Sequence, residues 1–136
     1  MIITDITQID NIAERMFSQA PNLIVVDIND YNRVKRNSTV LNAASVKLPF
    51  ALKDGINIFI DTIHEFSKQD ANQVLLHISG VSGSLETENI TLNEINVMLG
   101  VIEEYFGNVD IIWGLSDRKD VDTNSYEINV IVGYKS

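Results

Sequence analysis

Two carboxylates carry the spacing most open to chemistry. Asp27 and Asp30 stand three residues apart, where the apolar run Leu23-Ile24-Val25-Val26 gives way to a polar segment ending in Arg33, Lys35 and Arg36. Acids at the front and bases at the back complement a helix dipole, so this segment is expected to form a short helix. The spacing puts both carboxylates on one face near its N-terminus. Two readings stand on the residues alone. One is helix capping, with Asp27 at the N-cap and Asp30 favourable to the dipole. The other is a pair of acids with a chemical role.

The remaining candidates are weaker. Ser79-Gly80-Val81-Ser82-Gly83 approaches a nucleophile elbow, but the spacing is one residue short and no helix follows. Asp120-Val121-Asp122-Thr123-Asn124 begins like a calcium loop, yet Ser125 stands where the turn needs glycine and Ile131 where the bidentate glutamate belongs. His64, beside Asp61 and Glu65, reads as a surface or boundary residue on a helix. His77 interrupts an apolar strand and reads as a satisfied core or edge histidine rather than a general base. Glu103 and Glu104 are adjacent on a helix and point in different directions. No phosphate-cradling glycine loop is present. With no cysteine, thiolate metal sites, disulfides and thiol nucleophiles are excluded. The expectation is no metal, no cofactor and no catalytic site of the chain's own.

Composition narrows the class. The 136 residues include 19 acidic and 10 basic side chains, a formal charge of −9, and 45% are hydrophobic. That is too apolar for a disordered acidic chain. It is too acidic for a nucleic-acid footprint, and Arg33, Lys35 and Arg36 form too small a basic cluster to change this. The same charge opposes binding to anionic membranes. No apolar run reaches membrane-span length, and the N-terminus lacks a secretory pattern, so a cytoplasmic location is expected. The length suits one core.

The elements that would hold Asp27 and Asp30 follow from periodicity. Ile9, Ile12, Ala13, Met16 and Phe17 trace one helix face between about Ile6 and Gln19, with Asp5 and Gln8 spaced as a capping box. Pro21 ends that helix. A strand over Thr39–Leu48 is followed by Pro49 at the first position of a helix running to about Lys68, with Gly55 inside it. Gln73–Ser79 is a short buried strand. Thr91-Leu92-Asn93-Glu94 caps a helix carrying Ile95, Met98, Leu99, Ile102 and Phe106, with Gly107 at its stop. Val109–Gly114 and Tyr126–Tyr134 are strands, joined by a polar loop over Asp117–Asn124 and expected to pair as a hairpin. Met16 and Met98 are expected in the core. The fold class is α+β: a mixed four-stranded sheet in β-α-β-α-β-β order, with two long helices packed on it and crossovers between parallel neighbours. An N-terminal helix and a short helix precede it.

Leu23-Ile24-Val25-Val26-Asp27-Ile28-Asn29-Asp30 resembles the synergy-loop segment of FtsZ, the bacterial tubulin homologue, whose pattern is Asn-x-Asp-x-x-Asp. The resemblance continues in order through Val74–Gly80, Leu92-Asn93-Glu94-Ile95, Asp110–Gly114 and the closing Tyr126–Gly133. It implies an N-terminal segment, 1–21, similar to the end of the family's central helix, and a C-terminal-domain-like unit, 22–136. The family's glycine-rich nucleotide-binding half has no counterpart here, so the chain would not bind GTP in the family manner. Val25 stands where the family has asparagine. In FtsZ the synergy-loop acids reach the GTP of the next subunit and help orient water. By position Asp27 and Asp30 would hold that in-trans role, and Val25, Asp27, Asn29, Asp30 and Arg33 would form the contact surface.

The implied function is a non-enzymatic interaction module in cell division or filament assembly, docking on an FtsZ/tubulin-like GTPase subunit. Two alternatives stay open. The chain would be one half of a split FtsZ-like GTPase, or the fold would serve a chorismate-mutase-like homo-oligomer that binds a small molecule between subunits.

Overall fold

The computed structural model describes residues 1–18, 22–24, 26–49, 52–81, 92–118 and 125–135. Its elements in chain order are α1 (Ile6–Ser18), β1 (Asn22–Ile24), α2 (Ile28–Arg36), β2 (Val40–Pro49), α3 (Leu52–His64), β3 (Ala71–Val81), α4 (Leu92–Phe106), β4 (Asp110–Arg118) and β5 (Ser125–Tyr134). The class is α+β, and the four expected strands form the mixed sheet. The extended run after α1 contributes β1 as a short fifth strand, so the order is β1-β4-β3-β5-β2. β3 and β4 are parallel, and the other pairs are antiparallel.

Four expectations need correction. β5 does not form a hairpin with β4; it lies between β3 and β2 and pairs with both. The α3 crossover consequently joins parallel strands that are not neighbours, while the α4 crossover does join neighbours. The reason is burial. Tyr126, Ile128, Val130, Val132 and Tyr134 pack in one cluster, whereas Ile131 belongs to the cluster on the opposite face. A strand buried on both faces belongs at the centre of the sheet. Pro49 is the last residue of β2, opposite Ser125, rather than the first of α3. β2 is an edge strand, where a missing N–H costs no ladder bond. Asp117 and Arg118, expected in a loop, extend β4.

Each face of the sheet carries its own layer. Phe59, Ile63 and Phe66, from α3 and the turn after it, join Ile95, Met98 and Ile102 of α4 over Val74, Leu76, Ile78, Ile128 and Val130. On the other face Ile9, Ile12, Ala13 and Met16 of α1 meet Tyr31 of α2 over Ala43, Leu75 and Ile131. Met16 and Met98 are fully buried, as their spacing predicts. Gly55 sits where α3 crosses β2; a Cβ there would lie 3.0 Å from Pro49 Cδ and 3.2 Å from Leu48 Cβ. Close packing of helix on strand therefore favours glycine, despite its cost of about 1 kcal/mol within a helix. Gly107 ends α4 with φ of 81°, and its amide donates to the Glu103 carbonyl at 2.8 Å, as its position predicts. The N-terminal segment closes part of the β2 edge: Ile3 and Ala43 exchange two backbone hydrogen bonds of 2.7 and 2.9 Å.

Two β5 tyrosines link the core to alkaline stability. Burial pushes the Tyr126 phenol up to about 12, helped by the nearby Glu94 carboxylate. Burial does the same for Tyr134, up to about 12, although its hydroxyl donates to the Ser67 carbonyl at 2.8 Å. The unfolded chain ionises these phenols from about pH 10, while the folded chain keeps its protons. Their contribution is therefore complete below pH 10 and lost as pH rises toward 12. Urea midpoints measured across that window are expected to fall steeply; a flat profile would contradict the placement of both rings.

Candidate functional site

The start of α2 carries the paired acids, and its local geometry is a reciprocal capping box. Asp27 is the N-cap, extended at φ −119° and ψ 179°. Its Oδ1 accepts the Asp30 amide at 3.1 Å, and Asp30 Oδ2 accepts the Asp27 amide at 3.0 Å. Arg33, one turn on, places Nη2 3.6 Å from Asp30 Oδ1. The capping reading of the pair is thus realised, and it accounts for one oxygen of each carboxylate. Asp27 Oδ2 has no partner among the described residues.

Asp27, Asn29 and Arg33 are exposed and Asp30 is half-buried, so the structure gathers these four candidates on one turn and a half of helix. Val25, the fifth, lies outside the described residues. Ile28 was not anticipated. It is 56% exposed between the two acids, an aliphatic side chain left in water on a charged turn. An isolated exposed isoleucine is ordinary, and only its position beside Asp27 and Asp30 draws notice.

A clamp beneath this turn fixes α2 against α1. Tyr31 is buried on the inner face, and its hydroxyl donates to Asp10 Oδ1 at 2.5 Å. Lys35 Nζ reaches the same oxygen at 3.2 Å and lies 5.2 Å from the centroid of the Tyr31 ring. The Tyr31 hydrogen bond and the Lys35 charge hold the Asp10 carboxyl below its usual range. Burial, then Asp10, raises the Tyr31 phenol. A depressed carboxylate stabilises the fold at pH above its unfolded value, near 4, and that share is lost as pH falls through the folded value. Tyr31→Phe removes the hydroxyl and leaves a half-exposed carboxylate that water can solvate. The expected cost is about 1 kcal/mol, read as a lowered urea midpoint with an unchanged slope.

A second polar group escaped the sequence reading. His77, Ser79, Ser116 and Asn129 are all buried on the sheet face that also bears Leu75 and Ile131. His77 Nε2 lies 3.1 Å from Ser116 Oγ, and Nδ1 lies 3.5 Å from Ser79 Oγ. Asn129 Oδ1 accepts from Ser45 at 2.5 Å, and its amide donates to Glu127 at 3.3 Å. Serine beside histidine suggests nucleophilic chemistry, but no surface reaches these groups. His77 is a satisfied core histidine, as its strand context predicts.

His64 is exposed and stacks on Tyr105, with ring centroids 4.6 Å apart. Among the described residues no cluster of His, Asp and Glu could hold a metal ion. No helix among them is long and apolar enough to cross a membrane. The elbow residues Ser82 and Gly83, the Asp120–Asn124 loop, the Thr91 cap and Pro21 lie outside the described residues.

No protein-family model matches the sequence, and no curated protein matches it. Solved structures do match. An FtsZ variant from M. jannaschii aligns over 93% of this chain and 38% of that one, at 17% identity and a TM-score of 0.66. An empty FtsZ dimer from the same organism aligns over 84% of this chain and 32% of that one, at 18% identity and a TM-score of 0.60. The GDP-bound CetZ1 monomer from Haloferax volcanii aligns over 80% and 33%, at 15% identity and a TM-score of 0.55. The chain thus spans roughly a third of the length of the proteins it resembles. In fold, it is FtsZ/tubulin-like.

Proposed function

We propose that the chain is a C-terminal-domain-like interaction module of the FtsZ/tubulin type, acting in filament assembly or its regulation. It docks the start of α2 on a GTP-binding partner subunit and carries no nucleotide site of its own. The observation behind this reading is the turn Asp27–Asp30. Within an FtsZ-like fold, two carboxylates that the sequence resemblance aligns with the family's synergy-loop acids are held at the surface by reciprocal capping bonds, flanking an exposed isoleucine.

Interfaces of this kind combine an apolar anchor with a charged rim. Ile28 supplies the first, and Asp27, Asp30 and Arg33 the second. Asp27 Oδ2, unpartnered among the described residues, is the group best placed to orient a water or meet a cation on the partner. Any catalytic contribution is made in trans, to the partner's hydrolysis.

Affinity capture from host lysate, comparing the natural chain with Asp27→Ala/Asp30→Ala, tests the reading. A GTPase retained by the first and lost by the second supports it. Equal capture, with equal loss of stability, assigns the acids to helix capping alone.

A further inference from the structure

The α3–α4 layer carries a feature unrelated to the docking turn. Between the two helices a groove of about 440 Å³ opens to solvent, lined by Ile60, His64, Lys68, Val101, Glu104 and Tyr105. Its floor is aliphatic: Ile60 and Val101 are half-buried, and Val97, one turn before Val101, is 44% exposed. Its wall is braced. The Tyr105 hydroxyl donates to the carbonyls of His64 and Phe66, and the ring stacks on the His64 imidazole.

Lys68 places its ammonium 4.8 Å from the centroid of the Tyr105 ring. Lys68 and Glu104 thus line one groove with opposite charges, both exposed, and no ion pair joins them.

We propose that this groove is where two copies of the chain associate, about a two-fold axis that sets each Lys68 against the partner's Glu104. A two-fold interface must be self-complementary: if one residue meets another across it, the reverse contact forms as well. One cation and one anion side by side over an aliphatic floor satisfy that condition on a single surface. Each charge finds across the axis a counter-ion that no described residue of its own chain supplies. Any other partner would have to supply both charges in the reverse order. The net charge of −9 on each copy opposes the encounter at long range. At about 0.15 M salt that repulsion is screened beyond roughly 8 Å, while the contact pairs lie well inside this distance. The groove is on the α3–α4 face and the docking turn on the α1–α2 face, so the pairing leaves both docking turns free. It stands whether or not the docking reading does.

Sedimentation equilibrium of the full chain at 0.15 M salt tests this. The natural chain is expected to move with concentration from 15.2 kDa toward twice that mass. Lys68→Glu and Glu104→Lys, each at an exposed position, should weaken the dimer about tenfold or more, while the melting temperature at concentrations where the chains are monomeric changes little. The double reversal Lys68→Glu/Glu104→Lys should restore association to within about threefold of the natural chain, because the two charges merely exchange places. A natural chain that stays at 15.2 kDa at every concentration would overturn the proposal. So would single reversals without effect, or a folded double reversal no better than the singles.

Discussion

Phe59→Ala is expected to cost about 3–5 kcal/mol and to be among the most damaging single truncations in the chain. Phe59 is fully buried at the centre of α3, within the cluster that joins α3, α4 and the sheet. Truncation removes the apolar contacts of the ring and leaves a cavity in the cluster that α3, α4 and the sheet share. Those elements are tied together by the sheet ladder and cannot close over the gap without distorting it. A chain of this size has a total stability of roughly 5–15 kcal/mol, so the variant would approach the threshold of folding. Phe59→Leu, which refills most of the volume, should cost markedly less. Urea denaturation checks both: the midpoint should fall in the order natural, Leu, Ala, with an unchanged slope. An alanine variant within about 1 kcal/mol of the natural chain would contradict the packing of α3 on the sheet.

The second large effect concerns binding rather than stability. Asp27→Asn/Asp30→Asn keeps a side-chain oxygen at each position, and asparagine caps helices about as well as aspartate. The capping box should therefore survive, with stability changed by about 0.5 kcal/mol or less. What disappears is charge. Hydrogen bonds to charged groups contribute about 1.5–3 kcal/mol each, so losing two should weaken docking on a GTP-binding subunit about hundredfold or more. The amide pair separates two roles that alanine removes together. Equal affinity in the asparagine variant would mean that the carboxylates do no more than cap α2.

Elements whose identity depends on neighbours in sequence were legible. Ile9, Ile12, Ala13 and Met16, and likewise Ile95, Met98 and Ile102, are buried as their helical spacing predicts. The pairing of strands was not legible in the same way. β5 sits between β3 and β2, buried on both faces, and its value there depends on strands about 50 and 85 residues away in the chain. Pro49 signals a helix start by local rules, yet an edge strand absorbs it at no cost in ladder bonds.

The candidate site divides along the same line. The capping of Asp27 and Asp30 is a three-residue matter and was visible in their spacing. The clamp from Tyr31 to Asp10 spans 21 residues and depends on how α1 crosses α2, which no local pattern encodes. The Ser116 and His77 pairing spans 39 residues and is set by the parallel register of β3 and β4. The spacing of the acids says nothing of Ile28; the finished turn shows that it faces water.

The central claim is that this FtsZ-like fold acts by docking the Asp27–Asp30 turn on a GTP-binding subunit. The most direct measurement is a titration of the purified chain into the FtsZ/tubulin-like GTPase of its host, following binding and GTP turnover together. The account predicts saturable binding, with turnover or assembly altered at saturation. It also predicts loss of both in Asp27→Asn/Asp30→Asn at an unchanged melting temperature. No binding by the natural chain, or the same isotherm for both proteins, would contradict it.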